Sequence, residues 1–315
     1  MANILNNANA GYHIGTMCLI YRVLRRANKP LTIVEVTELC APTTLKRLPD
    51  QAKKFLQTLT FWLVDARAAH CLWDLDSDST LKLLDPTAEV EPEPREIADI
   101  VRRALFVKKI PDITVKIRSK GNGDPANNIE PLLLQLAALL ASGRHLPFSG
   151  VPYDQAGIGE LTRQHLHVEH KLNDNELPRV IPWFLFLGFM ESHNGETWVD
   201  PTMAIRQTIT KILQPKQVMD IRQFIVELSQ LLPVLDGGAY QLQAATVMAS
   251  KGWDYDYNTT ISPALSHALN RLQVANVIKF MSMSDDSNSI QLIHPQTETT
   301  TSISQITYIG IEANA

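Results

Sequence analysis

Cysteine is scarce in this 315-residue chain, with three residues, Cys18, Cys40 and Cys71. They are an odd number, widely spaced and set in apolar surroundings, which speaks against a disulfide framework or a Cys-x-x-Cys zinc knuckle and for reduced core residues. Long apolar runs are also missing. Pro131 to Ala141 and Ile181 to Met190 fall well short of the ~20 residues that span a bilayer. The opening MANILNNANAGYHIG has no basic region followed by an apolar core, so a cytoplasmic protein without membrane association is expected. No H-E-x-x-H, no G-x-S-x-G and no phosphate-loop Lys-Ser/Thr occurs. HLHVEH offers His165, His167, Glu169 and His170, but not at metalloprotease spacing, and reads as a polar loop. SKGNGDP, Ser119 to Pro125, reads as a turn. The sequence therefore names no catalytic residue, no metal site and no cofactor, and an enzyme is not expected.

Charge of either sign is modest overall, at 29 Lys+Arg against 33 Asp+Glu, yet it is unevenly distributed. Residues 1–120 carry 18 cations against 14 anions, a net of +4. Residues 121–315 carry 11 against 19, a net of −8, and the two return the total of −4. The basic excess includes Arg22, Arg25, Arg26, Lys46, Arg47, Lys53, Lys54, Arg102 and Arg103, so any phosphate contact belongs in the first third.

What is present is a repeated grammar. FMESHNGETWVDP reads as strand, Asn194-Gly195 turn, strand and proline stop, directly behind the apolar helical stretch Val180 to Leu187. The same order occurs near the N-terminus, where helical Gln51 to Val64 precedes CLWDLDSDSTLKLLDP. It recurs near the C-terminus in LSHALNRLQVANVIKFMSMSDDSNSIQLIHP. Each unit follows shorter helical stretches: Gly15 to Ala27 and Leu31 to Cys40; Ile129 to Ala141 and Gly157 to Leu166; Val218 to Leu232 and Tyr240 to Ala249. Three helix-hairpin-proline units about a hundred residues apart predict a mainly α protein with small β-hairpins (α+β), built from three tandem winged-helix domains. The hairpins should pair Trp73 with Leu83, Glu191 with Trp198 and Lys279 with Leu292, with Pro86, Pro201 and Pro295 just beyond.

The spacer PTAEVEPEP, Pro86 to Pro94, is acidic and proline-rich and marks the first boundary. The expected domains are 1–92, 93–215 with an N-terminal extension, and 216–315 with a C-terminal tail. That tail holds one alternating strand, Ile306 to Ile311, fit to dock as an edge or to pair with a partner.

Three stretches, MANILNNANAGYHIGTMCLIYRVL, PWFLFLGFMESHNGETWVDPTMAIR, and LLPVLDGGAYQL followed by ISPALSHALNRL, together resemble the DpdG family. This is an accessory protein of the bacterial Dpd clusters, which insert 7-deazaguanine derivatives into DNA and carry restriction components. The resemblance implies a cytoplasmic component of a DNA modification and restriction (phage-defence) system. It hands over no catalytic residues.

A helix-turn-helix unit reads DNA with exposed polar and basic residues of its third helix. In the first unit Thr43, Thr44, Lys46 and Arg47 precede that helix, and Gln51, Lys53, Lys54, Gln57 and Thr58 lie on it. The third unit offers Ser262, Ser266, His267, Asn270 and Arg271. The second starts with Asp174 and Glu176 and continues apolar, with Trp183, Phe184, Phe186, Phe189 and Trp198 close together, a composition suited to packing. Two readings follow: a component that binds duplex DNA weakly or non-specifically through the first unit, or a scaffold whose winged helices bind other protein subunits of the system. A transcriptional regulator is a third. The first and second are separated by whether the first unit presents one basic face or pairs its charges with Glu35, Glu38 and Asp50.

Overall fold

Helices of seven to fourteen residues and strands of two to four make up the computed structural model, which describes residues 13–41, 49–65, 72–84, 94–107, 177–193, 196–252, 259–282, 288–293 and 299–310. The chain divides into two compact units, Met1–Lys108 and Lys109–Ala315. Both are mixed α and β.

In unit 1, α1 (Ile14–Ala27) buries Met17, Cys18, Ile20, Tyr21 and Leu24, the helical spacing of one apolar face. It stops at Asn28, whose left-handed backbone (φ 50°) turns the chain. β1 (Leu31–Thr32) runs straight into α2 (Ile33–Cys40). A capping box makes that junction: Thr32 Oγ1 accepts from Glu35 N at 3.2 Å, and Glu35 Oε2 accepts from Thr32 N at 2.7 Å. α3 (Pro49–Thr60) continues into a π-helical turn, Phe61–Asp65, which drives Phe61, Trp62 and Leu63 into the core. β2 (Trp73–Leu75) and β3 (Thr80–Leu83) form the first expected hairpin, with Trp73 opposite Leu83. Its turn is held by Asp76 Oδ1, which accepts from Asp78 N and Thr80 N. β1 adds to the far side of β3, giving the order β1-β3-β2. α4 (Pro94–Val107) completes the unit and buries Ile97, Ala98, Val101 and Phe106.

Unit 2 begins, among the described residues, with α5 (Leu177–Phe186) and the second expected hairpin, β4 (Met190–His193) with β5 (Glu196–Val199). Glu191 lies opposite Trp198 as expected. Gly188, at φ 76°, lets the chain leave α5, so that Phe189 N donates back to Phe184 O. Pro201 does follow the hairpin, but it also opens α6 (Thr202–Thr208). β6 (Val218–Asp220) and α7 (Ile221–Leu231) divide what the sequence reads as one helix; Asp220 makes the break by accepting from Arg222 N and Gln223 N. α8 (Ala239–Ala249) and α9 (Pro263–Val274) follow, then β7 (Ile278–Met281), β8 (Ile290–Ile293), β9 (Thr300–Ile303) and β10 (Gln305–Tyr308).

The third hairpin differs from expectation. Lys279 lies opposite Thr307 and Leu292 opposite Thr301, so β7 pairs with β10 and β8 with β9. The tail strand is therefore no edge: β10 is the middle of a sheet ordered β6-β10-β7. Burial supplies the reason. Ile306 and Tyr308 need a covered face, and beside β10 they share that face with Met219, Phe280 and Ile278, all but Phe280 buried. Asn194, Gly195, Pro86 and Pro295, and the helices expected at 129–141 and 157–166, lie outside the described residues.

Candidate nucleic-acid interface

α3 puts Asp50, Lys53, Lys54 and Gln57 at positions i, i+3, i+4 and i+7, one stripe along the helix, and all four are exposed. Gln51 is exposed at the first turn. Thr58, expected on the same surface, is buried one turn beyond Lys54 at the margin of the stripe, where its hydroxyl donates to Lys54 O at 3.0 Å. Thr43, Thr44, Lys46 and Arg47 lie outside the described residues. Among the described residues no ion pair joins Lys53 or Lys54 to a carboxylate. Glu35 is occupied in its capping box, where the bonds from the Thr32 backbone and side chain hold its carboxyl below the ordinary value. Arg102 and Arg103 leave the basic face: Arg102 is buried, and both pair with Asp99, at 3.3 and 3.2 Å.

The comparable polar residues of α9 are engaged inside unit 2. Ser262 caps the helix, its hydroxyl accepting from Leu265 N, while Asp236 Oδ1 and Oδ2 accept from Ser262 N and Oγ at 2.7 and 2.6 Å. Asp236 is itself buried, and desolvation pushes its carboxyl up against those bonds. Ser266 Oγ accepts from Ile293 N, and Asn270 Nδ2 donates to Ile293 O. Arg271 binds Glu191 Oε2 at 2.6 Å and also Asp200 Oδ2, on which His267 Nε2 converges at 3.4 Å. The other Asp200 oxygen accepts from Thr202 N at 2.8 Å. Burial works to raise the Asp200 carboxyl, but the bonds from His267 and Thr202 and the charge of Arg271 hold it well below the usual carboxylate range. One carboxylate thus ties hairpin β4-β5 and the start of α6 to α9.

Sequence reading misses this cluster, because Asp200-Pro201 after an alternating strand reads as a stop. The signal was there: Asp-Pro-Thr ahead of an apolar helical run is also a helix start. The aromatic group of the second unit is divided: Trp183, Phe184 and Phe189 are buried, and Phe186 and Trp198 half-buried, with Phe186 edge-on to Trp183 at 5.7 Å between centroids. Cys18 and Cys40 are free and buried, and desolvation pushes both thiols up to about 11, which keeps them protonated and inert. Cys71, HLHVEH and SKGNGDP lie outside the described residues. Among the described residues no group of three His, Cys, Asp or Glu could hold a metal, and no helix is long and apolar enough to cross a membrane.

Helices of seven to fourteen residues and small antiparallel sheets, divided between two units, define a mixed α+β protein with a lysine-bearing helix surface in the first. A model of the DpdG-like family matches residues 2–286, and the chain belongs to that family, which associates it with Dpd systems. Neither curated proteins nor solved structures give a match.

Proposed function

We propose that this protein is a non-enzymatic, cytoplasmic component of a bacterial Dpd modification and restriction system that binds duplex DNA through unit 1. The observation that carries the reading is the exposed stripe of Lys53, Lys54 and Gln57 on α3, whose two cations have no ion pair among the described residues. A winged-helix assignment for unit 1 is supported by its order of helix, strand, two helices and a hairpin, with the first strand added beside the last in the sheet β1-β3-β2. In that fold α3 is the groove-facing helix. Two lysines and a glutamine give phosphate contacts and little base readout, so the binding is weak and non-specific.

Residues 202–308 support a second winged helix by the same logic. A helix, a strand that leads directly into a helix, and a sheet ordered β6-β10-β7 repeat the scheme of unit 1, with one helix and the hairpin β8-β9 added. The module at 177–199 is a third. Because the polar residues of α9 are bound internally and no Lys or Arg follows Lys279, this part of the chain is read as a docking body for other protein subunits.

The test is a gel shift with the full-length chain and a duplex of arbitrary sequence, titrated with salt. Replacing Lys53 and Lys54 with Glu should reduce affinity by at least about tenfold and lower the salt slope by about two. Affinity unchanged by the double reversal would remove α3 as the contact.

A further inference from the structure

Among the described residues β9 is the open edge of its sheet. The far side of β8 is occupied by residues 259–261: Gln291 N donates to Thr259 O at 2.9 Å, and Thr260 bridges Gln291 in parallel. The base of the hairpin is fixed as well, since Arg222 Nε and Nη2 donate to Asn288 O and Ser289 O. β9 has β8 on one side, and among the described residues its backbone makes no bond on the other.

Two features of β9 stand out. The first is the absence of any guard. Solvent-facing edges usually carry Lys, Pro, an inward charge or a bulge that prevents further pairing. Thr300-Thr301-Ser302-Ile303 carries none of these, and β-branched residues at three of its four positions favour the extended chain. The second is an unfinished core row. Thr301 stands opposite Leu292, which is buried, and two residues along from Ile303, also buried, yet Thr301 is exposed. The covered layer runs outward along the sheet and stops at this residue.

We infer that β9 pairs antiparallel with the β9 of a second copy, so that the protein is a two-fold dimer through this edge. Charge selects the occupant. A two-fold axis sets each residue against its own kind or a near neighbour, so a charged strand repels its copy. This strand is neutral, although the segment after Lys279 holds Asp285, Asp286, Glu298 and Glu312 and no cation. With the axis perpendicular to the sheet and passing through Thr301, that residue meets its counterpart and Thr300 meets Ser302. This register keeps inward residues on the inner face of both copies and extends the row beyond Leu292. Threonine opposite threonine is a favourable cross-strand pair. A dimer would carry two α3 helices, so two weak phosphate contacts would act together. The pairing itself does not depend on the DNA reading.

Sedimentation of the full-length chain over a series of concentrations tests it, with circular dichroism as the check on folding. Wild type should move from one to two chains per particle as concentration rises. Thr301→Lys and Thr301→Glu, each alone, should stay at one chain, because like charges then face each other. Mixing the two variants should restore the dimer, since Lys then faces Glu. A wild type that stays at one chain, a Thr301→Lys protein that dimerises like wild type, or a mixture that fails to associate would each overturn the proposal. Loss of DNA affinity in Lys53→Glu/Lys54→Glu with the dimer retained would separate the two readings.

Discussion

α3 and α9 carry nearly the same kinds of side chain and put them to opposite uses. On α3, Lys53, Lys54 and Gln57 stand in solvent. On α9, Ser262, Ser266, Asn270 and Arg271 are held by Asp236, Ile293, Asp200 and Glu191. The lesson is that residue type does not mark a nucleic-acid surface; what marks it is whether the charge has already been compensated. An arginine that answers a buried carboxylate cannot leave it for a phosphate without stranding that carboxylate.

The comparison is broken most severely at Gly238. A Cβ there would fall 2.4 Å from Pro233 O and 2.6 Å from Pro233 Cα, both backbone atoms, and Pro233 O accepts from Tyr240 N and Gln241 N at the start of α8. Gly238→Ala should cost about 3 kcal/mol, the upper end of overpacking, read as a shifted denaturation midpoint. Arg271→Ala comes next. Asp200 is buried but Arg271 is 42% exposed, so the loss is discounted to about 2 kcal/mol. Ser262→Ala removes a helix cap and the hydroxyl donor to Asp236 Oδ2, while the backbone N–H still bonds Oδ1, for about 1–2 kcal/mol. At the other helix, Lys53→Glu/Lys54→Glu should change stability by less than about 0.5 kcal/mol while weakening DNA binding, because nothing in the fold depends on those side chains.

Acid sharpens the same contrast. The folded Asp200 carboxyl lies below its unfolded value, so its contribution is complete above the ordinary aspartate range and is lost as pH falls toward the folded value. The stability difference between wild type and Asp200→Asn should therefore be constant near neutrality and shrink below about pH 4. Urea denaturation across that range checks it.

Much of this was legible from local signals. The hairpin of DSDS was set by Asp76 bonding its own turn, and the Glu191–Trp198 pairing by alternation either side of Asn194-Gly195. The buried face of α1 was not legible in this way: Ile14, Cys18, Leu19 and Val23 also fall at helical spacing and read as the apolar side, yet Leu19 is exposed and the core takes Met17, Cys18, Ile20, Tyr21 and Leu24. The third hairpin was not legible. Neighbouring strands pair by default, but Ile278–Met281 waits for Gln305–Tyr308, and that choice depends on which strand can bury Ile306 and Tyr308. Nor could the sequence reveal that Arg271 faces Glu191 and Asp200, 80 and 71 positions earlier. Strand β1 was hidden for a different reason: two residues of strand leading into a helix have no periodicity of their own.

The central position of β10 also governs the order in which the protein can be made. β6 and β7 are not paired with each other; each is bonded to β10. Unit 1 has its three strands in hand once Leu83 has left the ribosome, and can fold while synthesis continues. The sheet of unit 2 has no such freedom. Until residues 305–308 emerge, β6 and β7 keep unpaired edges and Met219 and Ile278 lack their covering neighbour, so nascent chains halted between residues 281 and 304 are the species a chaperone would meet.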